Sequence, residues 1–81
     1  MGFFIVANVK IFANDRSGLL RDITTILAND KVNVLAMSTD SDVNNQVVTM
    51  GLKLEVYNLS AFNRVLDKIS QVEEVMKVKR S

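Results

Sequence analysis

The chain has 81 residues, 48% of them hydrophobic, and ten Lys and Arg set against nine Asp and Glu leave a formal net charge of +1. That length supports one core and burial of about 60% of the unfolded surface, so residues 1–81 are expected to form a single domain. Zero Cys and zero His exclude disulfides, thiol nucleophiles, thiolate metal sites and the commonest general base, and the balanced charge offers no broad field for nucleic acid or membrane.

Met1-Gly2 reads as a start added to a fragment, because strand-like alternation begins by Phe3 or Phe4 without a leader. No stretch reaches the roughly 20 apolar residues of a membrane span. A soluble, cytoplasmic module excised from a larger protein, without membrane contact, is the expectation.

The first strand is expected over about Phe4–Ala13, with Ile5, Ala7, Val9 and Ile11 on one face and Phe4, Val6, Asn8, Lys10 and Phe12 on the other. It stops at Asn14-Asp15-Arg16-Ser17-Gly18-Leu19-Leu20, where a helix pattern starts within four residues. Gly18 suits a left-handed backbone or a close approach, and Ser17 is the expected helix cap. The first N–H groups of such a helix have no internal partner and favour a carboxylate or phosphate, with Arg16 adding a charge nearby. A turn that is only structural accounts for the same residues about as well.

The helix itself is predicted over about Gly18–Asn29 with an apolar stripe of Leu19, Leu20, Ile23, Ile26 and Leu27, ending at Asn29-Asp30-Lys31. Val32–Thr39 reads as a second strand, Asp40–Asn45 as a long polar hairpin tip, and Gln46–Tyr57 as a third strand with Val48, Met50, Leu52, Leu54 and Val56 on one face. Asp40 and Asp42 lack the Gly and Glu of a calcium loop and read as turn formers. Gly51 marks a bulge or a close approach by another chain, and Met37 and Met50 read as packing residues. Asn58 or Ser60 caps a second helix striped by Leu59, Phe62, Val65, Leu66 and Ile69, and Glu73–Arg80 closes with a short strand.

The order βαββαβ predicts an α+β, ferredoxin-like sandwich: a four-stranded antiparallel sheet with two helices on one face. Phe4, Val6 and Phe12, joined by Leu35 and Met37, then fall on the uncovered face, which implies a covering partner such as a second copy. A homodimer is the expectation.

Asp15-Arg16-Ser17-Gly18-Leu19-Leu20-Arg21-Asp22-Ile23, with Asn33-Val34 and Leu54-Glu55-Val56-Tyr57-Asn58-Leu59, resembles ACT domains, regulatory modules of amino-acid metabolism. The resemblance covers about Val6–Arg80 and is strongest to the C-terminal ACT domain of the RelA/SpoT family of bacterial GTP pyrophosphokinases, which make the stringent-response alarmone (p)ppGpp. ACT domains often carry Pro just before this glycine; Ser17 stands there, a departure that loosens the loop.

The resemblance implies a non-catalytic regulatory module without cofactor or metal, which either senses an amino acid or docks the parent protein to other domains or to the ribosome and its RNA. It also implies an amino-acid site, with a branched-chain ligand as one candidate, between two modules: Asn14, Asp15, Arg16, Gly18, Leu19 and Leu20 of one facing Asn33, Val34 and Leu35 of the other. Two alternatives share the fold. An RNA-recognition motif would stack bases on Phe4 and Phe12, but Val47–Lys53 contains no aromatic residue. An acylphosphatase-type enzyme would use Arg16 as a phosphate cradle and Asn14 to orient water, on fold analogy alone.

Overall fold

The computed structural model describes residues 4–80; the expected Met1-Gly2 start lies outside them. The elements follow the expected order: β1 (Ile5–Asn14), α1 (Leu19–Asn29), β2 (Asn33–Asp42), β3 (Val47–Val56), α2 (Leu59–Ser70) and β4 (Val75–Arg80). The strands form one antiparallel sheet in the order β2-β3-β1-β4. No helix of the described residues is long and apolar enough to cross a membrane.

Alternation sets the layers. β1 pairs with β3 without interruption from Ile5↔Val56 to Asn14↔Val47, so Ala7, Val9, Ile11 and Ala13 share a face with Val48, Met50, Leu52, Leu54 and Val56. All nine are buried. Against them α1 places Leu19, Ile23 and Leu27, and α2 places Phe62, Val65 and Ile69, each set at helical spacing. Arg80 of β4 closes one end of this core with its guanidinium 5.0 Å from the centre of the Phe62 ring.

Several expectations need correction. Leu20 leaves the core stripe and stands 44% exposed, because Leu19, Ile23 and Leu27 already complete the buried line one residue away. Leu59 of the second stripe is likewise exposed. The hairpin tip is short: β2 runs on through Asp42, and the Asp42 carboxylate accepts from the backbone N–H groups of Asn44 and Asn45 and from the Asn45 side chain, an Asx-type turn over 43–46. Gly51 is not at a bulge; the register shifts instead lie between Val34 and Ala36 and between Phe12 and Ala13. What approaches Gly51 is its own sheet, since a Cβ there would come 2.8 Å from Ser38 Oγ. Met37 faces Leu52 in register and so belongs to the helix side rather than the outer face, although it remains 40% exposed.

β2 is the anomaly of the sheet. It is an edge strand, and every one of its ten residues is exposed, including Val34, Leu35 and Met37. The buried core is built from β1, β3 and the helices, and β2 supplies no buried residue to it and leaves its outer edge unpaired.

Candidate functional site

The chain turns sharply between β1 and α1, and the turn is fastened from two sides. Asp15 donates its N–H to the Gln46 carbonyl at 2.8 Å, and Asn14 donates its N–H to the Glu74 carbonyl at 2.9 Å. Gln46 and Glu74 are two of the three non-glycine residues with positive φ, a backbone that costs roughly 1–2 kcal/mol each. Strain of that kind persists where the surroundings over-determine it. Here it aims two carbonyls at the loop.

Gly18 is the helix cap, at φ 82 and ψ 0, and no side chain caps α1. Ser17 therefore does not take the role expected of it, because the left-handed Gly18 puts the serine one residue too early. The Leu19 N–H reaches the Arg16 carbonyl at 3.3 Å and Asp22 N–H the Gly18 carbonyl at 2.9 Å. The N–H groups of Leu20 and Arg21 have no acceptor among the described residues, which leaves the dipole-positive end of the helix open to an anion.

Arg16 is already committed. Its Nε donates to the Glu73 carbonyl at 3.0 Å, Nη1 to the Ser17 carbonyl at 3.1 Å, and Nη2 to Asp22 Oδ2 at 2.7 Å. This one side chain ties the turn before β4 to the first turn of α1. The Arg16 hydrogen bond, helped by the charge of Arg16 and Arg21, holds the Asp22 carboxyl below its ordinary range. Asn14 is also engaged, its Nδ2 donating to Glu74 Oε2 at 3.0 Å. The acylphosphatase arrangement, which needs both residues free, does not assemble.

An open hollow of about 390 Å³ is lined by Asp15, Arg16, Gly18, Leu19, Leu20 and Arg21 from the loop, and by Thr39, Ser41, Val48 and Met50 from the sheet. Leu19 is buried and can offer only backbone to it. Asn33, Val34 and Leu35 are not there. Asn33 lies in register with Glu55, which pairs with Val6, at the far end of the sheet from Asn14. Eight residues of strand separate the two ends, about 25 Å at roughly 3.3 Å per residue. Within one copy, the two halves of the expected site do not meet. The contribution of Thr39 and Ser41 was missed in the sequence, where they read as the run into a loop.

The ACT domain family matches residues 4–80. The chain is 54% identical over 72 residues to a GTP pyrophosphokinase of Escherichia coli strain K12, a match covering 89% of this chain and 10% of that protein. It is 40% identical over 79 residues to a GTP pyrophosphokinase of Haemophilus influenzae, covering 98% of this chain and again 10% of the relative. This chain thus spans about a tenth of the curated relatives it matches. Its fold is that of the crystallised ACT domain from the GTP pyrophosphokinase of Chlorobium tepidum, with a TM-score of 0.86 at 22% identity over 98% of this chain and 100% of that one. These similarities favour the ACT fold over the RNA-recognition alternative, and the chain belongs to the ACT domain family.

Proposed function

We propose that this chain is the regulatory module of a bacterial, cytoplasmic (p)ppGpp synthetase of the GTP pyrophosphokinase type, that it works as a homodimer, and that it senses a branched-chain amino acid. Catalysis belongs to other parts of the parent protein. The observation that carries the reading is β2: an edge strand exposed along its whole length, with Val34, Leu35 and Met37 uncovered and the loop hollow opening at its other end beside Thr39 and Ser41.

Unpaired strand edges recruit another strand. Antiparallel pairing of β2 with β2 of a second copy, about an axis near Met37, sets Asn33–Leu35 of that copy opposite Thr39–Ser41 of the first. That closes the distance of about 25 Å which separates the two halves in one copy. The ligand carboxylate then meets the N–H groups near Gly18–Leu20, its ammonium group meets Asp15, and its branched side chain lies against Val34 and Leu35 of the second copy. Asn14 and Arg16 hold the loop rather than the ligand, and Leu19 anchors it to the core.

The test is a titration of the isotope-labelled chain with valine and isoleucine, alongside sedimentation. Saturable amide shifts in both Asn14–Leu20 and Asn33–Leu35, with dimeric mass below about millimolar, are expected; a millimolar constant corresponds to only about 4 kcal/mol. Asp15→Ala removes one charge-assisted bond, worth about 1.5–3 kcal/mol or roughly ten- to hundredfold in affinity. A second reading, docking to the ribosome or to other domains without a ligand, is favoured by the saturation of Arg16 by internal partners. It becomes the better account if neither segment shifts at about 10 mM amino acid, a bound that excludes binding tighter than roughly 3 kcal/mol.

A further inference from the structure

The sheet face turned away from the helices carries a cluster of like charge. Lys10 of β1 stands directly opposite Lys79 of β4, on the outer side of the sheet. Across the other flank of β1, Lys10 faces Gly51, and Lys53 is the next outward residue of β3. Lys77 precedes Lys79 on the same face, opposite Phe12. Directly opposed residues lie about 5 Å apart at Cβ and diagonal neighbours about 7–8 Å, so Lys53, Lys77 and Lys79 all surround Lys10.

All four lysines are exposed, and among the described residues none is in an ion pair. Like charges directly opposed across a sheet are destabilising, so nothing in the stability of the fold accounts for Lys10 facing Lys79. The neighbouring acids form no ion pair with them among the described residues. Glu55 follows Lys53 on this face but accepts from Asn33 Nδ2, and Asp40 lies in the Lys77 row beyond Phe12 and Thr49, on the far edge strand.

Beside Lys10 the sheet dips. Gly51, Ala36 and Ser38 are too small to fill the surface, and they floor an open hollow of about 320 Å³ walled by Asn8, Lys10 and Lys53. The hollow falls at the lower end of the volumes small-molecule sites span, with polar hydrogen-bonding walls at Asn8 and Ser38 and cationic groups at Lys10 and Lys53.

We infer that this lysine cluster and the hollow beside it bind the polyphosphate group of a nucleotide-sized small molecule. The compactness of the cluster selects that ligand over a nucleic-acid strand. A longer polyanion would run from the lysines onto Glu55 or Asp40, the net charge of the chain is only +1, and the central strands present no aromatic platform over the hollow, which stacked bases need. Phosphates contacting Lys10, Lys79 and Lys77 leave the ribose and base to occupy the space above Gly51. The face stays open in a dimer formed through the edge of β2, so the inference stands apart from the amino-acid site.

The probes are ATP and inorganic pyrophosphate, titrated without divalent metal into the isotope-labelled 81-residue chain. Saturable amide shifts are expected at Asn8–Phe12, Ser38, Gly51–Lys53 and Lys77–Lys79, with ATP binding more tightly than pyrophosphate. Lys10→Gln should weaken ATP about tenfold, the loss of one charge-assisted contact, while raising the melting temperature by relieving the repulsion with Lys79. Arg64→Gln, on the exposed face of α2, should leave both unchanged. The inference is overturned if neither probe saturates below about 10 mM, if Lys10→Gln and Arg64→Gln behave alike, or if a short RNA oligomer shifts this face where ATP and pyrophosphate do not.

Discussion

In α2 the helix begins as the sequence advertises: Asn58 is extended, and its Oδ1 accepts from the Ala61 N–H at 2.7 Å. In α1 the equivalent position is Gly18 in the left-handed region, with no side-chain cap and with Arg16 bound to Asp22 in the first turn. The two helices bury three core residues each, so the fold treats them alike in packing and differently at their starts. An open helix start is therefore not a requirement of the fold. It marks α1 as the half where backbone donors are kept available, and the substitutions below separate packing, which the halves share, from entry, which they do not.

The largest effects test the shared part. Ile23 and Phe62 are fully buried, and Ile23→Ala and Phe62→Ala should cost about 2–5 and 3–5 kcal/mol respectively in urea unfolding; Leu52→Ala belongs with them. Leu20→Ala should cost about 1 kcal/mol or less, since Leu20 stands 44% exposed. If Leu20→Ala proves as damaging as Ile23→Ala, the α1 stripe has been placed on the wrong face.

The entries come next. Gly18→Ala forces a side chain into φ +82, at roughly 1–2 kcal/mol; the contact it makes, 3.2 Å to Arg21 Nη2, is with the end of a flexible chain that can move. Asn58→Ala should cost about 1 kcal/mol by loss of the cap, whereas Ser17→Ala should fall within about 0.5 kcal/mol of the parent. Thermal unfolding of the three variants reads this directly. A large loss for Ser17→Ala would make the two helix starts alike.

Period was legible in the sequence, and partnership was not. The two helices and the four strands follow from spacing and residue type, with observed bounds that differ from expectation by a few residues at most, and of the two caps offered, Asn58 and Ser60, it is Asn58 that serves. Three of the failed expectations show the physical reasons. Leu20 lies at the margin of an apolar stripe, where period alone does not decide between core and surface. Asp40–Asn45 has loop composition, yet one carboxylate at Asp42 tightens the turn enough to let β2 continue through it. Arg16 looked available because its partner carbonyl at Glu73 lies 57 residues away, and no local pattern encodes that bond. At the candidate site, spacing located the loop, and the register places Asn33–Leu35 at the opposite end of the sheet from it within one copy.

The smallest effect concerns the ion pair that distinguishes the α1 entry. Arg16 depresses the Asp22 carboxyl in the folded chain, with Arg21 at 3.7 Å adding a weaker pull. A carboxyl with a lowered folded pKa contributes stability above its ordinary value of about 3.9, and that contribution is lost as pH falls through the folded value. Arg16→Met returns Asp22 towards its ordinary titration, so the stability gap between parent and variant should be widest near neutral pH and should narrow below about pH 4. The bond from Arg16 to the Glu73 carbonyl is lost at every pH, which separates the two roles of the side chain: the pH-independent part of the gap reports the clamp, and the part that closes in acid reports the ion pair. Asp42, lowered by its hydrogen bonds from Asn45, lies at the hairpin turn and serves as the internal reference, since its titration should not move in the variant. Because the paired side chains are 25% and 37% exposed, added salt should shrink the acid-sensitive part. Carboxyl titration by NMR alongside denaturant midpoints from pH 2 to 7 checks this, and an Asp22 titration that stays put in Arg16→Met would assign its shift to Arg21 and leave Arg16 as a clamp alone.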